Sequence, residues 1–259
     1  MAKNSSFKLC PLASGSKGNA LYISCNGQSF LIDAGLSGAE IERRLSAVGM
    51  EAGHLTAIII THEHSDHING AGILSRRFHI PVYVTEETHE AAKGLGKIEN
   101  LTFFQCGRSF EIDKILISPF STSHDACDPV GLTLEYNDQK IGIATDLGMV
   151  TNLVRESLKN SNVLYLESNH DPDMLMNGPY PWHLKQRIKG RTGHLSNMDA
   201  RILVSELRTD RLKHVILAHL SEKNNCPQKA SGEVMQSLND SDITLHVARP
   251  DKSGLIISL

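Results

Sequence analysis

Four side chains able to hold a metal ion crowd into one short stretch, His62-Glu63-His64-Ser65-Asp66-His67. In an extended segment alternate side chains point the same way, so His62 and His64 share one side. A turn after them lets Asp66 and His67 face a second ion. Neutral imidazoles with a carboxylate suit zinc, manganese or iron, and the missing thiolate disfavours a purely structural cysteine site. Two histidines alone would be a weak signal, because a single imidazole is more often a hydrogen-bonded core or surface residue. Four candidate ligands together, in a chain with 13 histidines, point to metal or proton chemistry.

Such a cluster needs a strand to deliver it, and TAIII, an apolar run, leads straight into THEHSDH. Ahead of it FKLCPLA, ALYISC and SFLIDAG read as short strands parted by the turn-forming SGSKGN and NGQ. Ile41, Leu45 and Val48 fall at helical spacing, which predicts a helix from Gly38 to Val48. After the cluster NGAGILSRRF reads as a helix and PVYVT as a return to strand. From LTFF to TLEY strand-like runs alternate with turns, and KIGIATD is a strand ending in an acid. Residues 150–160 and 197–208 read as helices, and HVILAHL as a strand between 214 and 220. No repeat, low-complexity tract or linker interrupts the chain. This order predicts an α/β (α+β) architecture of two sheets sandwiched by helices, in one domain over residues 1–259.

Composition narrows the setting. No apolar run approaches the roughly 18 residues that cross a bilayer, so no membrane association is expected. The start, MAKNSSFKLCPLASGS, lacks an apolar stretch followed by a small-residue cleavage site, so no secretory signal is expected. The five cysteines (Cys10, Cys25, Cys106, Cys127, Cys226) are scattered, odd in number and without a CxxC pair. That argues against a disulfide framework and fits a reducing cytoplasm. A formal net charge of −3 gives no global pull toward nucleic acid, so a polyanionic substrate must be drawn by metals and a local basic patch.

THEHSDH matches the HxHxDH signature of the metallo-β-lactamase superfamily, which the chain resembles over nearly its whole length. The resemblance implies a four-layer αββα sandwich with its ligands at the sandwich edge. It identifies a further histidine as His124 in STSHDA, a bridging acid as Asp146 in IATDLG, and a last histidine as His219 in ILAHLS. On that pattern His62, His64 and His124 hold one divalent ion, Asp66, His67 and His219 hold another, and Asp146 bridges the pair. Singly, TDLG or AHLS would be weak, since an Asp flanked by small residues is usually a turn former. All four motifs in this order are specific. Glu63 and Ser65 lie between ligands and are assigned no chemistry, and His54, His79, His89, His214 and His246 have no motif support.

A narrower resemblance is carried by LASGSKGNALYI, ESNHD, GPYPWHLKQRI, GRTGHLSN and AHLSEKNNCP, which are similar to YycJ/WalJ-type proteins, bacterial relatives of RNase J and tRNase Z. It implies a 5′-to-3′ exonuclease acting on DNA more than RNA, with two divalent ions (zinc or manganese, or else iron). Between Asp146 and His219 there is no room for the β-CASP insertion of roughly a hundred residues or more that larger relatives carry.

Two ions about 3.5–4 Å apart can share a hydroxide and lower the pKa of bound water from about 15.7 toward roughly 7. A phosphodiester gains most, because the cations neutralise charge growing on its non-bridging oxygens. Its leaving alkoxide still needs a proton, so a general acid near the metals is a specific demand of this reaction. Phosphodiesterases of the superfamily carry a histidine before a Ser- or Thr-started helix and an acid after the preceding strand. GHLSNMDA and YLESNHD look like those elements, which makes His194, paired with Glu167, the implied acid, with Asp66 also counted catalytic. The alternative is that His194 simply precedes a helix capped by Ser196 or Asn197.

Three segments are candidates for substrate contact. The turn holding Ser14, Ser16 and Asn19 can present N–H groups and hydroxyls to a phosphate, or be a plain hairpin turn. The stretch from Pro179 to Gly193 mixes Trp182 with Lys185, Arg187, Lys189 and Arg191, as strand-binding surfaces do, although a solvated helix face explains the same charges. Asn169, His170 and Asp171 follow Glu167 and can line a pocket, His170 as a substrate contact.

The ligands do not by themselves decide the substrate. A small-molecule hydrolase, either a thioesterase of the glyoxalase II kind or a cyclic phosphodiesterase, would use the same fold. The Glu167/His194 pair and the basic stretch tilt toward phosphodiesters. The absent export signal disfavours a β-lactamase, and His64 with the chain length disfavours a flavin-iron oxidoreductase. A non-catalytic scaffold would be expected to have lost ligands, and here each is present.

Overall fold

The computed structural model describes residues 6–239 and 241–259. The first half of the chain builds one sheet from β1 (Lys8–Ala13), β2 (Ala20–Cys25), β3 (Gln28–Ile32), β4 (Ala57–Ile59), β5 (Val82–Val84) and β6 (Leu101–Phe103). The second half builds another from β7 (Phe110–Ile112), β8 (Ile115–Ser121), β9 (Val130–Tyr136), β10 (Gln139–Ala144), β11 (Val163–Glu167), β12 (His214–Ala218) and β13 (Thr244–Val247). A last strand, β14 (Ile257–Ser258), crosses back to pair with β1, giving the orders β14-β1-β2-β3-β4-β5-β6 and β13-β12-β11-β10-β9-β8-β7.

Side-chain alternation on these strands makes three apolar layers. Phe30 and Ile32 of β3 point between the sheets, where Leu9, Ile23 and Ile59 meet Ile117, Leu132, Ile143, Tyr165 and Ile216. Leu31, one residue out of phase, points outward with Ile58 and is covered by Ile41, Leu45 and Leu74. These come from the helices Gly38–Ala47 and Ala71–Phe78. On the second sheet Leu164 and Leu166 face Val154, Leu158, Leu203 and Val204. Those belong to the helices Asn152–Leu158 and Asn197–Leu207. The result is the expected helix–sheet–sheet–helix sandwich.

Strand register decides where the chemistry emerges. Parallel pairing sets Phe30 against Ala57 and Ile32 against Ile59, so the chain after β3 and after β4 leaves the sheet side by side. In the second sheet Ala144 pairs with Leu166 and Glu167 with Ala218, which brings the ends of β10, β11 and β12 together. One sequence expectation needs correction: the run HVILAHL is strand only to Ala218, and His219 turns off it with φ +55°. The short helices Glu86–Ala91, Pro172–Asn177 and Pro227–Met235 carry too few apolar positions for their periodicity to announce them.

Candidate metal centre and active site

Asp33, Asp146 and His219 each follow the end of a strand, and each has left-handed backbone, with φ of 60°, 56° and 55°. For residues with a Cβ this conformation costs about 1–3 kcal/mol and collects at functional sites. Here it turns each side chain back across the sandwich edge.

The expected ligands converge. His62 Nε2 lies 3.1 Å from His64 Nδ1, and His124 Nε2 lies 3.2 Å from the same nitrogen. These spacings approach those of donors sharing one cation at about 2.0–2.1 Å. Donor atoms of Asp66, His67 and His219 form a second group, and His67 and Asp146 join His62 in a third. Asp146 spans the groups: its Oδ2 is 3.3 Å from His67 Nε2 and its Oδ1 is 3.7 Å from His124 Nε2 and 3.3 Å from His219 Nδ1. Asp146 Oδ2 and His219 Nε2 are buried without a hydrogen-bond partner. Unpaired polar atoms at this depth are costly, and a divalent ion would satisfy both.

Charges in the cluster agree. Burial, with the charge on His67, drives His62 well below the usual histidine range, which suits a neutral ligand. Burial also lowers His124, against the pull of Asp146. Although burial opposes a charged His67, Asp33 and Asp146 push it up to about 10. Against its own burial, Asp146 is held well below the carboxylate range by His219 and His67. Positive charge is thus favoured among these carboxylates.

A second ring of residues orients the first. His67 Nδ1 lies 2.8 Å from Asp33 Oδ2, which leaves Nε2 facing the cluster. Asp33 also accepts from the Thr61 N–H and hydroxyl, both at 2.8 Å. Gly193 O sits 3.1 Å from His124 Nδ1, and Asn19 Nδ2 is 3.2 Å from Asp66 Oδ2 and 3.0 Å from His67 Nε2.

Glu167 is fully buried, with Oε1 at 2.8 Å from His194 Nδ1 and 2.9 Å from His219 Nδ1. Its Oε2 accepts from the Leu147 and Leu195 N–H groups at 2.7 and 3.2 Å. Burial would raise this carboxyl, but pairing with His194 and the hydrogen bonds from both histidines bring it down to about 2. His194 is less enclosed and lines a cavity of about 170 Å³ with His219, Ser16, Asp125, Asn169, Tyr180, Arg187 and Ser221. A larger groove of about 540 Å³ opens between the edge strands β6 and β7, lined by Tyr83, Phe103 and Phe110, and none of the candidate ligands lines it.

The proposed substrate contacts divide. Ser16 and Arg187 line the cavity, and Arg187 Nε is 2.6 Å from Asp125 Oδ2. Ser14 is corrected: it is fully buried, and its Oγ accepts the His219 N–H at 2.7 Å, so it seats His219. Asn19 is likewise spent on Asp66 and His67. Lys185 Nζ donates to Met176 O at 2.8 Å, and Trp182, 62% exposed, stands outside the cavity on the helix Trp182–Lys189. His170 is buried, away from the cavity lining, with Nδ1 unpartnered. Sequence reasoning missed Asp33, Thr61, Asp125, Tyr180 and Ser221. Asp33 had a signal, an acid closing the strand-like run SFLID, whereas the others follow from tertiary placement alone.

A family model described as Beta-lactamase superfamily domain matches residues 28–219. Exodeoxyribonuclease YycJ of Bacillus anthracis is 39% identical over 232 residues, covering 88% of both chains. Exodeoxyribonuclease WalJ of Streptococcus pneumoniae is 37% identical over 246 residues, which are 93% of this chain and 91% of that one. The solved structure of the metallo-β-lactamase fold protein YhfI from Bacillus subtilis aligns with a TM-score of 0.76 at 17% identity, over 99% of this chain and 100% of that one, a likeness of fold.

Proposed function

The chain belongs to the β-lactamase superfamily, as a metal-dependent hydrolase, and from that membership we propose that it is a two-metal phosphodiesterase, a 5′-to-3′ exonuclease acting on DNA. The observation that carries this reading is the His194–Glu167 pair, 2.8 Å apart, with Glu167 buried behind His194 and His194 lining the same cavity as His219. A thioester loses a thiolate, which departs without a proton and has less need of such a group, whereas the alkoxide leaving from a phosphodiester must be protonated.

In this reading His62, His64 and His124 hold one ion, Asp66, His67 and His219 hold the other, and Asp146 serves both. Zinc and manganese suit the donor set best, with iron next. When bound, such a pair supplies a water activated at neutral pH and neutralises charge on the phosphate. The chain's own residues do the rest. Glu167 fixes His194 through Nδ1, which leaves Nε2 to pass a proton to the leaving oxygen. Arg187, with Nε tied to Asp125, offers its outer nitrogens to a phosphate beside Ser16. Trp182, exposed on the helix that lines the cavity with Leu184 and Ile188, offers a ring on which a base can stack. We place it in the cytoplasm as one domain, in keeping with scattered cysteines that include no CxxC pair; no helix among the described residues is long and apolar enough to cross a membrane.

Oligonucleotides labelled at either end, single- and double-stranded, with and without a 5′-phosphate, test this with zinc and manganese. Stepwise release of 5′ nucleotides is expected. Metal-loaded protein inert on every nucleic acid would overturn the reading.

A further inference from the structure

Three segments carry the acid pair and one metal ligand: Glu167 at the end of β11 with residues 168–171 after it, residues 194–196 leading into the helix Asn197–Leu207 with its first residue Asn197, and residues 219–226 after β12. Their backbones are laced together. The Ser168 N–H donates to Ala218 O at 3.0 Å, Asn169 to Leu195 O at 2.8 Å, Asn197 to His170 O at 2.9 Å and Ser221 to Asn169 O at 2.8 Å.

One buried side chain ties all three segments at once. Asn225 Nδ2 lies 2.9 Å from Ser168 O, 3.0 Å from Asn169 O and 2.8 Å from Asn197 Oδ1. Its Oδ1 accepts from Asn197 Nδ2 at 3.0 Å and from the Cys226 N–H at 2.9 Å. Ser168 Oγ donates to Asn197 Oδ1 at 2.6 Å, and Asn169 Nδ2 reaches His219 O at 2.8 Å. Ser168, Asn197 and Asn225 are all buried. Satisfied networks at this depth rigidify their surroundings. Only an amide fits the Asn225 position, because its two N–H donors are shared among three oxygens on one side and its oxygen accepts on the other. A carboxylate there would face two carbonyls and an amide oxygen with nothing to donate.

The knot sits one residue from the chemistry. Ser168 follows Glu167, and Leu195, whose N–H holds Glu167 Oε2 and whose carbonyl is bonded by Asn169, follows His194. We propose that Asn225 is a positioning residue for the general acid: it fixes the separation of His194 and Glu167 by locking the segments that carry them, and touches no reacting atom itself. This rests on His194 being the acid. A displacement near 1 Å at a reacting group can cost on the order of a hundredfold in rate.

Two substrates separate positioning from mere stability. A DNA oligonucleotide has an alkoxide leaving group that needs a proton, whereas bis(p-nitrophenyl) phosphate loses a phenolate that does not. Turnover of both is compared for manganese-loaded wild type, His194→Ala, Asn225→Asp and Ser168→Ala, with melting temperature and metal content recorded. Asn225→Asp is expected to follow His194→Ala in weaker form, DNA turnover falling roughly 10- to 100-fold. The loss on DNA should exceed the loss on the activated ester by about tenfold. Ser168→Ala, which removes a single bond of the knot, is expected to shift the same ratio less, and decides the matter if Asn225→Asp does not fold. Equal losses on both substrates, or a lower melting temperature with an unchanged ratio, overturn the proposal. Equal losses in His194→Ala would instead sink the acid reading on which it stands.

Discussion

Asp33 Oδ2 lies 2.8 Å from His67 Nδ1, with both side chains buried, Asp33 just past the end of β3 and His67 on the short helix Ser65–Ile68 that follows β4. A carboxylate on Nδ1 fixes the imidazole so that Nε2 points into the cluster, and such partners are worth 10- to 100-fold in metal affinity. Asp33→Asn is therefore expected to weaken zinc binding by roughly that factor. Competition with a chromophoric chelator measures it. Wild-type affinity in the variant would mean that the contact is structural only.

The same contact has a pH signature in chelator-treated protein. Although burial opposes its charge, His67 is pushed up to about 10 by Asp33 and Asp146. A raised folded-state value stabilises fully below the unfolded value of roughly 6.5. That contribution is lost as pH rises through about 10. Urea unfolding should accordingly show stability declining across this window, and less so in His67→Gln. A stability that climbs with pH there would contradict the assignment.

His194→Ala should reduce DNA turnover by roughly 10²- to 10⁴-fold at unchanged metal content. Glu167→Gln is expected to do more than one thing, because the same oxygen also holds His219: turnover falls and metal is lost in part. Elemental analysis alongside kinetics separates the two. Equal metal loss in both variants would argue that His194 is a ligand.

Gly148 holds the loop before His194 in place by having no side chain. A Cβ there would come within 2.4 Å of Arg191 O and 2.5 Å of Gly193 N, both backbone atoms. Gly148→Ala should destabilise by about 1–3 kcal/mol and slow turnover more than it lowers metal content. Chemical denaturation and kinetics check this; an unperturbed variant would show that the loop yields freely.

Much of the site could be read from the sequence because it sits at strand ends. TAIII delivers His62, KIGIATD delivers Asp146 and VLYLE delivers Glu167, each by local strand pattern. The resemblance then assigned the roles: His124, Asp146 and His219 as ligands, and His194 with Glu167 as the acid pair. What escaped depends on register between distant segments. Asp33 meets His67 only because β3 pairs with β4, and Ser14 reaches the His219 backbone across 205 residues of chain. The turn around Ser14 looked like a phosphate cradle because local composition carries no information on what a loop is packed against. Left-handed backbone at Asp146 and His219 was invisible for a related reason, since neither residue type demands it.

Metal content of the active protein tests the central claim most directly. Plasma emission analysis of protein that degrades DNA should find about two divalent ions per chain, and at most one in Asp146→Ala, with turnover lost in step. Full turnover on DNA with fewer than one ion per chain, or in the Asp146 variant, would contradict a shared two-ion centre.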